Sequence, residues 1–267
     1  MRYKTIILEK KNGIAILTLN RPETLNAWNA EMSEEAANAI DEISKDENTK
    51  VLIITGAGRG FCSGVDVRQG LAKMAEGDSE TGFDTVQGIQ NIATTAIQLR
   101  TMDKPVIGAI NGVATGAGFC IALACDLRIA SERAKFSMAF ILRGIIPDTG
   151  GTFFLPKLVG SAKACELCFT GDIIDAKEAE QLGLVNKVVP HEELMKVTEE
   201  LANKLLKRPP IALKYAKRAI YKGLAEADLS SHVDYEFSLN RVCVDTEDFR
   251  EGVRAFLEKR EPIFKGR

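Results

Sequence analysis

Apolar positions fall into short β-branched runs over the first half of the chain and recur at helical spacing over its last third. Two strand signals open it, Thr5–Glu9 and Ile14–Leu19, and the turn residues Lys11-Asn12-Gly13 between them predict a hairpin. A helix over Ala30–Ser44, a strand over Val51–Thr55, a helix over about Thr85–Met102 and a strand over Pro105–Ile110 are read next. The strand-like Leu127–Ala130 leads through Phe136-Ser137-Met138 to a glycine-bearing loop, Gly144–Gly151. Strands alternating with helices predict an α/β protein with a parallel sheet. Beyond that loop the pattern is helical over Glu192–Lys207, Pro210–Gly223, Leu229–Cys243 and Glu247–Arg260, with Pro209-Pro210 as punctuation. The expected organisation is a core over residues 1–200 and a helical region over 201–267, with no repeat, low-complexity tract or long linker.

One turn in this pattern points to chemistry. Asn111-Gly112-Val113-Ala114-Thr115-Gly116-Ala117-Gly118 lies between the apolar run Pro105–Ile110 and a helix-like segment, Phe119–Cys125. The first N–H groups of a helix lack partners and sit at the positive end of its dipole, so such a turn can hold developing negative charge. A plain packing turn is the competing reading. A dinucleotide fingerprint fails: Gly116 and Gly118 supply the first two glycines, but Ile121 occupies the third place. Gly56-Ala57-Gly58-Arg59-Gly60 is not closed by Gly-Lys-Ser/Thr, which argues against nucleotide hydrolysis.

Composition narrows the classes further. The 267 residues carry a net charge of −2 with both signs interspersed, so no global field favours nucleic acid or an anionic membrane. Nothing in the sequence is long and apolar enough to span a bilayer, and Met1–Thr5 lacks a signal-peptide pattern, so a cytoplasmic location is expected. Six cysteines scattered through apolar segments read as reduced core residues. Cys165 and Cys168 have no second pair, and His191 and His232 are the chain's two histidines, both read as surface residues, so no metal site is expected.

Five ordered motifs together resemble the crotonase, or enoyl-CoA hydratase/isomerase, superfamily over essentially the whole chain. They are Asn20–Ala27, Gly60–Val67, the glycine turn with Cys125-Asp126, Ile146–Thr152 and Phe256–Arg260. The resemblance implies a fold of repeated β-β-α units with a C-terminal helical trimerisation region, assembled as a homotrimer or dimer of trimers. It implies an acyl-CoA thioester as substrate, with coenzyme A part of that substrate and no further cofactor. The backbone N–H groups of Val65 and Ala117 match the pair that holds the thioester oxygen as it becomes an enolate. Arg21, Leu25, Ala27, Ser63, Gly64, Asp66 and Val67 match the loops around CoA, and Phe256 and Lys259 would reach it from a neighbouring subunit.

Where the chain departs from the hydratases is as informative. The two hydratase glutamates fall on Cys120 and Phe140, which removes the acid and base that handle water. Asp148 stands where most hydratases have glycine, among Ile145, Ile146 and Pro147, whose apolar bulk would desolvate it into a better base. An N-cap of a helix starting at Thr149 or Gly150 is the alternative. One carboxylate facing an enolate is the equipment of an isomerase, and the Pro-Asp-x-Gly-Gly-Thr loop most resembles the branch acting on 1,2-epoxyphenylacetyl-CoA. Phe140, with Phe153 and Phe154, is a candidate lining for the acyl group. The competing expectations are a hydratase with a non-standard site, a hydrolase using Asp148 as nucleophile, and a catalytically inactive CoA-binding scaffold.

Overall fold

The computed structural model describes residues 3–72 and 91–267. Strands β1 (Ile6–Lys11) and β2 (Ile14–Leu19) pair antiparallel, with Lys11 opposite Ile14. The two residues between them, Asn12 and Gly13, have φ of 52° and 84°, the doubly positive turn that matches strand twist. Helix α1 (Ala30–Lys45) starts where the Asn29 side chain accepts from the Met32 N–H. Its buried Met32, Ala36, Ala39, Ile40 and Ile43 form one stripe at the 3–4 spacing of an amphipathic helix.

The centre of the chain repeats a strand–strand–helix unit. β3 (Val51–Gly56) is followed by β4 (Gly60–Cys62), and α2 runs through residues 91–101. The first residues of the helix expected from Thr85 lie outside the described residues. β5 (Val106–Ile110), β6 (Val113–Thr115) and α3 (Ala117–Ala124) form the next unit. β7 (Leu127–Ser131), β8 (Lys135–Ser137) and α4 (Gly151–Thr170) form the third. The first strand of each unit joins one sheet and the second joins another. With β9 (Ile174–Asp175) and β10 (Lys187–Val189), the sheet orders are β1-β2-β3-β5-β7-β10 and β4-β6-β8-β9. Pairing is parallel except for β1–β2 and β8–β9. β3 and β5 are buried throughout, which is why they read as continuous apolar runs rather than alternating ones.

Helix α5 (Ala176–Gln181) precedes β10, and α6 (Leu194–Leu206) follows it. Leu194 and Ala202 of α6 pack on Ile14, Val51, Ile53, Ile107 and Ile129 in a second apolar cluster. The division expected at residue 200 therefore falls inside a core helix. The appendage proper is α7 (Pro210–Gly223), α8 (Leu229–Val244) and α9 (Glu247–Leu257). Lys217 of α7 ties it to the core, pairing with Asp126 at 2.8 Å and donating to the carbonyls of Leu99 and Lys104 at 3.1 Å.

Two expectations about polar and sulfur side chains are corrected. Cys62, Cys120 and Cys125 are buried, but Cys165 is exposed and Cys168 and Cys243 are half-buried. The inward stripe of α4 here is Ala164 and Leu167, and Cys165 lies one step round the helix from it. His232 is no surface residue either, because its side chain is only 14% exposed and a Cβ on Gly223 would stand 3.0 Å from its ring.

Candidate active site

Two segments far apart in sequence build one wall of a cleft. The loop after β2 turns back through Leu25 and Asn26, with φ of 54° and 57°, and Asn26 donates from Nδ2 to the carbonyls of Ala57, Gly60 and Phe61. Trp28 N–H donates to Gly64 O at 2.7 Å, and Asp66 N–H donates to Trp28 O at 2.9 Å. This bridge skips the N–H of Val65, which faces the other way. Ser63 is clamped from the same loop, its N–H donating to Leu25 O and its Oγ to Thr24 O, each at 3.0 Å. The Arg21 guanidinium pairs with Asp66 at 2.9 Å and donates to Ala27 O at 2.5 Å. Both charges are nearly buried and face each other, so Arg21 and Asp66 hold the loop in place.

The glycine turn completes this wall. β6 enters the cleft with Thr115 Oγ1 donating to Ser63 O at 3.0 Å, and Gly116 N–H donates to Ser137 O at 2.9 Å. Gly116 takes φ 53° and ψ −126°, after which α3 begins at Ala117. As the first helical residue Ala117 has no acceptor for its N–H within the helix. Among the described residues neither this N–H nor that of Val65 donates to a turn, cap or side-chain acceptor. The two sites adjoin: a Cβ on Gly64, whose φ is 92°, would lie 3.0 Å from Thr115 O and 3.5 Å from the Ala117 nitrogen. Gly118 packs so closely on β4 that a Cβ there would stand 2.2 Å from Cys62 O. The glycines thus do two jobs, bringing strand and helix together and leaving two N–H groups free side by side.

The same cleft carries an acid. Phe140, Arg143, Ile145 and Asp148 line the cleft with Ser63, Gly64, Val65, Val67 and Ala117. Asp148 accepts from Thr149 Oγ1 at 3.0 Å. It caps no helix, because α4 starts later, at Gly151 behind Gly150 with φ 85°, and has no side-chain cap. The expected desolvation is also absent from the chain alone. Asp148 is exposed and Ile146 turns 73% of its surface to solvent. Cys120 and Phe140, at the hydratase glutamate positions, are both buried. Burial pushes the Cys120 thiol up, and the nearby Asp148 carboxylate adds to this, so Cys120 stays neutral beneath the surface.

The cleft thus gathers Ser63, Gly64, Val65, Val67, Ala117, Phe140 and Asp148 from the sequence-derived set, with Leu25, Ala27, Arg21 and Asp66 buttressing one wall. Phe256, 82% exposed on α9, and Lys259, with φ 54°, do not line it. Phe153 and Phe154 line a different cavity, beside Arg100 and Tyr221. Arg143 was not anticipated, since a charge in a short turn before Gly144 carries no spacing signal. Its Nη1 donates to Ala139 O at 2.9 Å.

Two unpaired N–H donors and a carboxylate line one cleft, an arrangement that can stabilise charge on a carbonyl oxygen beside an acid/base. The enoyl-CoA hydratase/isomerase family model matches residues 9–267. The chain belongs to that family. It is 39% identical over 265 residues to a short-chain-enoyl-CoA hydratase of Clostridium acetobutylicum, covering 98% of this chain and 97% of that one. It is 38% identical over 262 residues to a 1,2-epoxyphenylacetyl-CoA isomerase of Escherichia coli, covering 98% of each. An enoyl-CoA hydratase structure from Bacillus anthracis superposes with a TM-score of 0.92 at 37% identity, covering 99% of this chain and 100% of that one.

Proposed function

We propose that this enzyme of the hydratase/isomerase family is an acyl-CoA isomerase. Asp148 removes a proton beside the thioester and returns it at another carbon, while the N–H groups of Val65 and Ala117 hold the charged thioester oxygen. The observation that carries this reading is the donor inventory of the cleft: among the described residues lining it, Asp148 is the one carboxylate. Moving a double bond through a dienolate needs one acid/base, whereas adding water draws on two groups to manage it. The apolar lining from Val65, Val67, Phe140 and Ile145 suits a hydrocarbon acyl group, either a 3-enoyl chain or the ring epoxide named for the E. coli relative. The exposed apolar faces of α8 and α9, including Phe237, Phe249 and Phe256, support a trimeric assembly, in which Phe256 and Lys259 serve a neighbour's CoA.

A hydratase reading draws support from the name of the C. acetobutylicum relative. The purified enzyme is to be assayed with a 3-enoyl-CoA for 2-enoyl-CoA formation and with a 2-enoyl-CoA for 3-hydroxyacyl-CoA. Double-bond migration faster than hydration supports the isomerase. Hydration as the faster reaction sinks it, and a covalent acyl group trapped on Asp148 assigns a hydrolase.

A further inference from the structure

A second cavity, of about 430 Å³, lies between α4 and α7 over the Cys125–Arg128 segment and shares no lining residue with the cleft. Its walls are apolar, with Phe153, Phe154 and Leu158 on one side and Leu213, Ile220 and Leu224 on the other. Its charges do not balance. The Asp126 carboxylate is taken by Lys217 at 2.8 Å and by the Tyr221 hydroxyl, which donates to it. Arg100 and Arg128 also line the cavity, and among the described residues neither has a carboxylate at ion-pair distance. Arg128 is buried and its side chain donates to the carbonyls of Leu184 and Cys125, both at 2.6 Å. Burial pulls its pKa down. The Arg100 guanidinium is held between two rings, 4.6 Å from the Phe154 centroid and 4.0 Å from that of Tyr221. Its Nη2 donates to Leu123 O at 3.0 Å, and among the described residues its buried Nε has no acceptor. Two guanidiniums with no carboxylate at ion-pair distance are costly, and an anion bound in the cavity offsets that cost.

We propose that this cavity is a binding site for a small amphipathic monoanion, a medium-chain carboxylate. Its carboxylate pairs with the Arg100 guanidinium, which lines the cavity, and its hydrocarbon chain lies along the apolar walls. The sign of the unbalanced charge selects an anion. The walls select a hydrocarbon body, and the volume lies within the range of small-ligand pockets. The site stands apart from the reaction in the cleft, so its test does not depend on which reaction that is.

The test is calorimetric titration of the full chain with sodium octanoate, with and without saturating butyryl-CoA. The expected result is one octanoate per chain, with affinity changed less than twofold by butyryl-CoA and at least tenfold weaker binding of acetate. Arg100→Gln should weaken octanoate at least tenfold. Ala216→Phe keeps both guanidiniums, sits at an exposed position of the lining and fills the apolar space, and it should do the same. No saturable heat, displacement by butyryl-CoA, equal affinity for acetate, or octanoate binding unaffected by a folded variant would each overturn the site.

Discussion

Across the cleft, Val65 and Ala117 are fixed by backbone pairing to Trp28, a hydroxyl bond from Thr115 to Ser63, and glycines in contact with neighbouring main chain. Asp148 stands on an exposed loop where, among the described residues, its side chain has one hydrogen bond, from the adjacent Thr149. The difference matches what the proposed isomerisation would ask of each group. Donors that meet a developing oxyanion gain their advantage from being in place beforehand, since nothing need reorganise as the charge appears. A carboxylate that serves two carbons in turn must reach both, and a loop residue without a capping role retains that freedom.

The contrast can be broken from either side. Asp148→Asn keeps the size of the side chain and removes the base. Turnover should fall by about 10²- to 10⁴-fold with the unfolding midpoint nearly unchanged, measured by steady-state kinetics beside a urea titration. Gly64→Ala attacks the rigid wall, placing a Cβ 3.0 Å from Thr115 O at a φ of 92°. It should lower kcat by about 100-fold through displaced donors, and unlike the Asp148 variant it should also lower stability by about 1–3 kcal/mol. Asp66→Asn leaves Arg21 unpaired in a nearly buried setting and should cost about 3 kcal/mol of stability in the same urea titration.

The smallest effect is one of pH. Burial raises the Cys62 thiol from its ordinary value of 9.0 to about 12, and pushes Cys120 and Cys125 up as well. The fold therefore prefers the protonated thiols, and the unfolded chain ionises first. The stability tied to these thiols is fully present below about pH 9 and is lost as pH rises towards 12. Urea midpoints should be flat from pH 7 to about pH 8.5 and decline above it, less steeply in Cys62→Ala.

The rigid wall was the more legible of the two. Gly112, Gly116 and Gly118 marked the turn, and the hairpin, the alternation of strands with helices and the C-terminal helices followed from apolar periodicity, whereas the repeated strand–strand–helix unit came from family resemblance. The assignment of Val65 came from family resemblance, because its free N–H is created by a bridge to Trp28 that no local pattern encodes. The Arg21–Asp66 pair joins residues 45 positions apart and was equally invisible. On the Asp148 side, local chemistry misled. Apolar neighbours in sequence predicted burial, but the chain turns Ile146 outward, and Gly150 with φ 85° delays the helix that Asp148 was a candidate to cap. The strands of the second sheet are two or three residues long, too short for alternation to show.

Hydrogen exchange in heavy water tests the central claim most directly, because it sees proton transfer whichever product accumulates. The enzyme incubated there with a 3-enoyl-CoA should place deuterium at both the α and γ carbons as the double bond migrates, and Asp148→Asn should suppress both. Exchange at neither carbon in the native enzyme, or unchanged exchange in Asp148→Asn, would contradict an Asp148-driven dienolate held by Val65 and Ala117.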